Sequence, residues 1–273
     1  MSTTTEEVTP YLRRVLAPNA GPMTLEGTNT WVVGDPAAGP VAVVDPGPLV
    51  ESHLRAVLRH CEHGVDVVLL THRHADHAAS AVEVARRTGC GVRAADPTLQ
   101  LGDEGLSEGD GLDVSGARLT AHATPGHTSD SCSFLLRGDD GGVRLLTGDT
   151  VLGRGTTVIA APDGDLGAYL ASLSRLERLV VDQAVTELLP GHGPRVADPA
   201  AWLGFYRRHR QERLDQVRSA LSAGDRSVEA VVSRVYAGID RSVRPAAEQS
   251  VRAQLDYLQD LEEPPEGSRS RTR

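Results

Sequence analysis

A chain of 273 residues with 40% apolar and 24% charged side chains has the composition of a soluble globular protein, long enough for one large domain or one large and one small. No stretch approaches the roughly 18 consecutive apolar residues of a membrane span, and three scattered cysteines, Cys61, Cys90 and Cys132, exclude a disulfide framework or a thiolate metal site. The formal charge of −9 is uneven: residues 1–200 hold 15 arginines against 26 acids, and residues 201–273 hold 13 against 11, so any nucleic-acid contact belongs to the tail.

The N-terminus, MSTTTEEVTP, is polar and acidic, unlike a secretory signal or a transit peptide, so a cytoplasmic location is expected. Short apolar, β-branched runs then recur between Gly and Pro residues. Val41–Asp45, Asp66–Leu70, Arg118–Ala121, Ser133–Leu136, Val143–Leu146 and Thr186–Leu189 are predicted strands. Asp76–Arg87 and Leu166–Val181 have apolar residues three or four apart and are predicted helices, so the fold class is α/β. His53, His60 and His63 fall in an amphipathic, solvated stretch without ligand spacing. Asp198-Pro199 combines a good N-cap with a residue suited to the first helical turn. From there the pattern is helical: one helix to about Ser222, a second over Val228–Tyr236 and a third over Pro245–Leu261. This divides the chain into a catalytic part, 1–198, a helical part, 199–263, and a disordered tail, 264–273.

The chemistry concentrates after the apolar run Val67–Leu70, in Thr71-His72-Arg73-His74-Ala75-Asp76-His77. His72 and His74 are two apart and point the same way from extended backbone, while Asp76 and His77 open the next helix and approach from another side. Imidazole and carboxylate together suit zinc, with iron or manganese as alternatives. His127 in Thr124-Pro125-Gly126-His127-Thr128, Asp149 in Thr147-Gly148-Asp149-Thr150 and His192 in Pro190-Gly191-His192-Gly193 each follow a predicted strand, in a glycine-bearing turn. His122, on the strand leading to His127, reads as an ordinary surface or core residue.

In their order and spacing these motifs resemble those of the metallo-β-lactamase superfamily, and Asp45-Pro46-Gly47 resembles its first, structural motif. The resemblance implies an αββα sandwich with two metal ions between the sheet edges. It implies that His72, His74 and His127 hold one ion, that Asp76, His77 and His192 hold the other, and that Asp149 bridges them. Gly21–Trp31 (GPMTLEGTNTW) and His209-Arg210-x-x-Arg213-x-x-Gln216-Val217 resemble the metallo-β-lactamase-like protein 2 family, which adds a small winged-helix-like domain after the sandwich. The chain departs from that pattern at Ala79-Ser80, where glycines are usual, and at its Pro/Arg-rich end, which stands where a final wing would be.

Two metals sharing a water lower its pKa from 15.7 toward about 7. The expected function is therefore a binuclear zinc hydrolase of an ester or thioester, with Asp76 as the catalytic carboxylate that accepts a hydrogen bond from the nucleophile and orients it. Asp45, Thr71 and Thr128 are candidate supports for the ligands. His209 and Arg213 either pack the first tail helix or reach over the cleft toward substrate. Two other activities are compatible with these residues: an endoribonuclease acting on single-stranded RNA, and an iron-dependent sulfur oxygenase using fewer ligands around one iron. The expected partner is a small acyl substrate or single-stranded RNA, with no membrane.

Overall fold

The computed structural model describes residues 3–102 and 104–262, so the expected disordered tail lies outside the described residues. One sheet has six strands in chain order: β1 (Thr4–Thr9), β2 (Leu12–Leu16), β3 (Asn29–Val33), β4 (Val41–Val44), β5 (Val65–Leu69) and β6 (Gly91–Arg93). Pairing is antiparallel through β4 and parallel across β4, β5 and β6. The other sheet runs in the order β11-β10-β9-β8-β7, with β7 (Gly111–Val114), β8 (Ala117–Ala123), β9 (Cys132–Gly138), β10 (Val143–Gly148) and β11 (Glu187–Pro190). Because β8 and β10 are both antiparallel to β9 and β11 is parallel to β10, the C-terminal ends of β8, β10 and β11 share one edge.

Alternation explains the layers. In β3, Trp31 and Val33 face the second sheet while Val32 faces outward; in β4, Ala42 and Val44 face in, and Val41 and Val43 face out. The inward set packs on Leu119, Phe134, Leu136, Leu146 and Leu189 to form the central core. The outward set is covered by α1 (Glu51–Leu58) and α3 (Ala81–Thr88). On the far side, Leu135, Leu145 and Leu188 are covered by α4 (Leu166–Asp182), and α5 (Pro199–Ser222), α6 (Val228–Val235) and α7 (Arg244–Glu262) join the same apolar cluster. The result is the αββα sandwich expected from the sequence, with a helical C-terminal part packed against one outer layer. No strand follows β11 among the described residues.

The capping expectation at the tail holds: Asp198 caps α5 by accepting from the Ala201 amide at 3.0 Å, with Pro199 in the first turn. Two readings are corrected. The single helix over Asp76–Arg87 is two, a short α2 (Ala75–Ala78) and α3, because Ser80 turns inward, its hydroxyl donating to Pro48 O at 2.7 Å and its amide to Gly47 O at 3.1 Å. His53 is not solvated: it is fully buried on the inner face of α1 with Leu54, Ala56 and Val57. Among the described residues no helix is long and apolar enough to cross a membrane.

Candidate metal centre

Strand ends gather the site. His72 and His74 follow β5, Asp76 and His77 lie on α2, His127 follows β8, Asp149 follows β10, and His192 follows β11. All seven sequence-predicted residues meet in one cup between the sheets. Three overlapping groups have donor atoms close enough to hold an ion: His72, His74 and His127; His72, His77 and Asp149; and Asp76, His77 and His192, with the atoms of each group within 4.8 Å of one another.

The histidines are oriented by what their other nitrogen does. His77 Nδ1 donates to Asp45 Oδ2 at 2.8 Å, His127 Nδ1 to Val158 O at 2.8 Å, and His192 Nδ1 to Gly27 O at 3.1 Å. Thr71 Oγ1 donates to Asp45 Oδ2 at 2.7 Å, so its lone pair accepts from His72 Nδ1 at 3.0 Å. All four rings therefore turn Nε2 inward as a lone-pair donor, the arrangement in which an outer partner fixes tautomer and basicity. His74 is reversed: its Nδ1 lies 3.0 Å from both His72 Nε2 and His127 Nε2. Nitrogens about 2 Å from one tetrahedral ion stand about 3.3 Å apart, so this triangle is sized for an ion. On the other side, His192 Nε2 lies 3.2 Å from His77 Nε2 and 3.1 Å from Asp76 Oδ2. Asp149 sits between the two triads, Oδ1 at 3.4 Å from His77 Nε2 and Oδ2 at 3.8 Å from His127 Nε2, and its buried Oδ1 has no hydrogen-bond partner. The nitrogen and oxygen donors and the orphaned carboxylate oxygen fit a pair of divalent ions.

The electrostatics agree with this geometry. Burial pushes His72 well below the usual histidine range, with the neighbouring histidines adding to it. Burial also opposes the charged forms of His77 and His192, yet Asp149 together with Asp45 outweighs it at His77, raising it well above the ordinary value, and Asp149 together with Asp76 outweighs it at His192, raising it to about 9. Asp149 is held well below the carboxylate range because His192 and His77 outweigh its burial. The negative charge that raises these two imidazoles is the charge that would face a cation.

The support is built into the backbone. Asp45 has φ 51°, an uncommon conformation for a residue with a Cβ, and its carboxylate accepts three bonds: from the Thr71 amide at 2.8 Å, from Thr71 Oγ1 and from His77 Nδ1. A Cβ on Gly191 would come within 2.6 Å of both Asp149 Oδ1 and His77 Cε1, which is why only glycine lets the His192 loop approach. Thr128 is bonded to Ser131, Oγ1 to Oγ at 2.8 Å, and closes the turn that carries His127 without reaching the ring. His122 pairs with Glu108 at 3.1 Å, away from the cup.

Sequence reasoning misses the residues that act from a distance. Asn29 Nδ2 donates to Pro190 O and Gly193 O, both at 2.9 Å, and pins the His192 loop; its motif is visible in the sequence but its role is not. Thr157 Oγ1 donates to Asp149 O at 2.6 Å, and Arg210 of α5 donates to Thr157 O, so the C-terminal helices brace the segment that holds both Asp149 and His127. Only the fold brings Arg210 there. Tyr206 Oη accepts from the Leu152 amide at 2.7 Å and Trp202 Nε1 donates to Leu152 O at 2.8 Å, adding to the brace. His209 and Arg213 do not touch the cup; they line a neighbouring cavity.

Comparison with known proteins matches this architecture. Residues 23–192 match the metallo-β-lactamase superfamily and residues 227–262 the β-lactamase-associated winged helix domain. The chain belongs to the metallo-β-lactamase superfamily and is a hydrolase of that class. More particularly, it is 31% identical over 267 residues to the β-lactamase-like protein 2 homologue of Caenorhabditis elegans, across 93% of this chain and 85% of that one. It is 31% identical over 256 residues to the atrochrysone carboxyl ACP thioesterase of Aspergillus chevalieri, across 89% of this chain and 78% of that one. A metallo-β-lactamase family protein from Thermus thermophilus shares the fold at a TM-score of 0.76 and 21% identity, covering 94% of this chain and 95% of the other.

Proposed function

We propose that this chain is a binuclear zinc hydrolase that cleaves an acyl ester or thioester, with His72, His74 and His127 holding one ion, Asp76, His77 and His192 the other, and Asp149 between them. The observation that carries it is the pair of non-overlapping donor triads with a carboxylate between them whose buried Oδ1 has no hydrogen-bond partner among the described residues. An iron oxygenase built around one ion would not need the second triad. When bound, the ions supply an acidified water and a Lewis acid for the oxygen on which charge develops.

The residues supply the rest. Asp76 is the most accessible acid of the cup, its side chain 29% exposed against 12% for Asp149 and 2% for Asp45. Burial raises its pKa, but the His192 hydrogen bond together with the His77 and His192 charges outweighs that and holds it ionised below the usual carboxylate range. Asp76 therefore orients the attacking water and takes its proton. The water oxygen adds to the carbonyl carbon, the carbon–sulfur or carbon–oxygen bond breaks, and the proton leaves on the thiol or alcohol. Thr28 Oγ1, 3.5 Å from Asp76 Oδ2, holds that carboxylate in place. Met23, Leu25, Leu152 and Val158 give the cavity beside the cup, about 180 Å³, a largely apolar wall for an acyl group to contact, with Arg154, Thr156 and Thr157 forming its polar part. That apolar lining and the relative named as a thioesterase support an acyl substrate over RNA.

The test is to incubate zinc-loaded protein with acyl ester, acyl thioester and single-stranded RNA substrates, beside an Asp76→Ala/His77→Ala control. Ester or thioester hydrolysis that disappears in the control is expected. RNA cleavage with the same dependence, and no acyl hydrolysis, would replace this reading with the ribonuclease one.

A further inference from the structure

Three nitrogen-rich side chains of α5, His209, Arg210 and Arg213, line one cavity of about 280 Å³ between the sandwich and the last helices. Pro22, Met23 and Thr156–Val158 wall both this cavity and the one beside the metal cup, so the two are neighbours across a single partition. The opposite wall is apolar, from Tyr236, Ile239, Val243, Ala246 and Ala247. Among the described residues no acidic side chain lines the cavity, in a chain whose formal charge is −9.

The nitrogens are under-used. Arg210 is 4% exposed, its guanidinium stacks 4.9 Å from the Tyr169 ring, and its Nε has no partner. Arg213 donates Nη1 to Gln216 Oε1 at 2.8 Å and to Val235 O at 3.2 Å and stacks 4.7 Å from the Tyr236 ring, and among the described residues its Nη2 and Nε make no hydrogen bond. His209 Nδ1 is buried and also unpartnered. Among the described residues, each arginine's hydrogen bonds go to neutral oxygens, with no carboxylate pair. A buried guanidinium without a counter-ion is costly, and the group that complements it is a planar or tetrahedral oxyanion.

We infer that this cavity is a substrate-recognition subsite that takes a carboxylate or phosphate carried on an apolar body. Arg213, His209 and the free Nε of Arg210 meet the anion while Ile239, Val243 and Ala247 cover the body. The subsite deepens the hydrolase reading, on which it rests only for the reacting end of the substrate. RNA also brings phosphate, and a base can stack on Tyr236, but Ile239, Val243, Ala246 and Ala247 make the rest of that wall aliphatic and give successive bases no second ring to stack on.

Titration calorimetry with phenylbutyrate and its neutral analogue phenylbutanol tests this on the metal-loaded protein, in wild type, Arg213→Ala, Arg213→Lys and His209→Phe. Phenylbutyrate is expected to bind, to weaken about tenfold in Arg213→Ala and less in Arg213→Lys, while phenylbutanol binding is unchanged. Loss of the Val235 hydrogen bond and the Tyr236 ring contact alone would weaken both ligands equally, and that result overturns the subsite. Arg213-independent binding of phenylbutyrate, or binding of a single-stranded RNA oligomer in its place, overturns it too. Because binding is read without turnover, a protein that binds phenylbutyrate in this way but hydrolyses no ester or thioester keeps the subsite and loses the proposed reaction.

Discussion

The metal cup and the interdomain cavity share the Thr156–Val158 partition and are built in opposite ways. In the cup, four of five histidines have their outer nitrogen tied to a named partner, so each inner nitrogen is aimed before anything binds. In the cavity, His209 Nδ1 and Arg210 Nε are buried with no partner among the described residues. The difference separates two ways of preparing a site: ligands for a resident ion are fixed by satisfied outer bonds, whereas groups awaiting a transient ligand keep their donors free.

The most severe way to break the cup leaves every donor in place. Gly191→Ala drives a methyl group against Asp149 and His77, and a displacement of about 1 Å in a reacting constellation costs on the order of 100-fold in rate. Steady-state hydrolysis should fall by that order, with phenylbutyrate binding in the other cavity retained. Next is Asp45→Asn, which weakens the hold on His77 and Thr71. Metal affinity, measured by chelator competition, is expected to drop about 10- to 100-fold, while a drop below about twofold would mean Asp45 serves only its turn.

Arg210→Met sharpens the comparison because Arg210 belongs to both regions. Removing an uncompensated buried cation for a shape-similar apolar group is expected to change unfolding free energy by less than about 1 kcal/mol. Metal affinity should still fall, by about tenfold, because Thr157 O loses its donor. Denaturant melts and chelator competition on the same samples separate the two effects.

The smallest effect lies under the cup. Burial pushes His53 down to about 4, and its Nε2 donates to Thr30 Oγ1 at 2.9 Å, Thr30 in turn donating to Asp45 O at 2.6 Å. A histidine whose folded value is depressed protonates more readily when unfolded. Its contribution is therefore complete above about pH 6.5 and is lost as pH falls from there toward 4. Melts of metal-free protein from about pH 7.5 to 4 should show His53→Gln losing less stability than wild type, by on the order of 2 kcal/mol. Equal losses would assign the acid sensitivity to other groups.

What is legible in the sequence follows the same division. The cup can be read because its donors sit at strand ends in short local motifs, Thr71–His77 and the three glycine turns, and because Asp198-Pro199 marks a helix start chemically. Its brace cannot, since Arg210 meets Thr157 only through packing of elements 53 positions apart. The first three strands escape the pattern because β1, TTEEVT, is an edge strand of exposed and half-buried polar residues, and Asn29 and Thr30 in β3 are buried for their hydrogen bonds. His53 reads as solvated because its polarity hides its place on the buried face of α1, beside Val57 at i+4.

The central claim, two ions in one cup, is tested most directly by counting. Metal content per chain, by inductively coupled plasma mass spectrometry on protein loaded with zinc and freed of excess, is expected to be two in wild type and one in Asp76→Ala/His77→Ala. One ion in wild type, unchanged in that variant, would contradict the account.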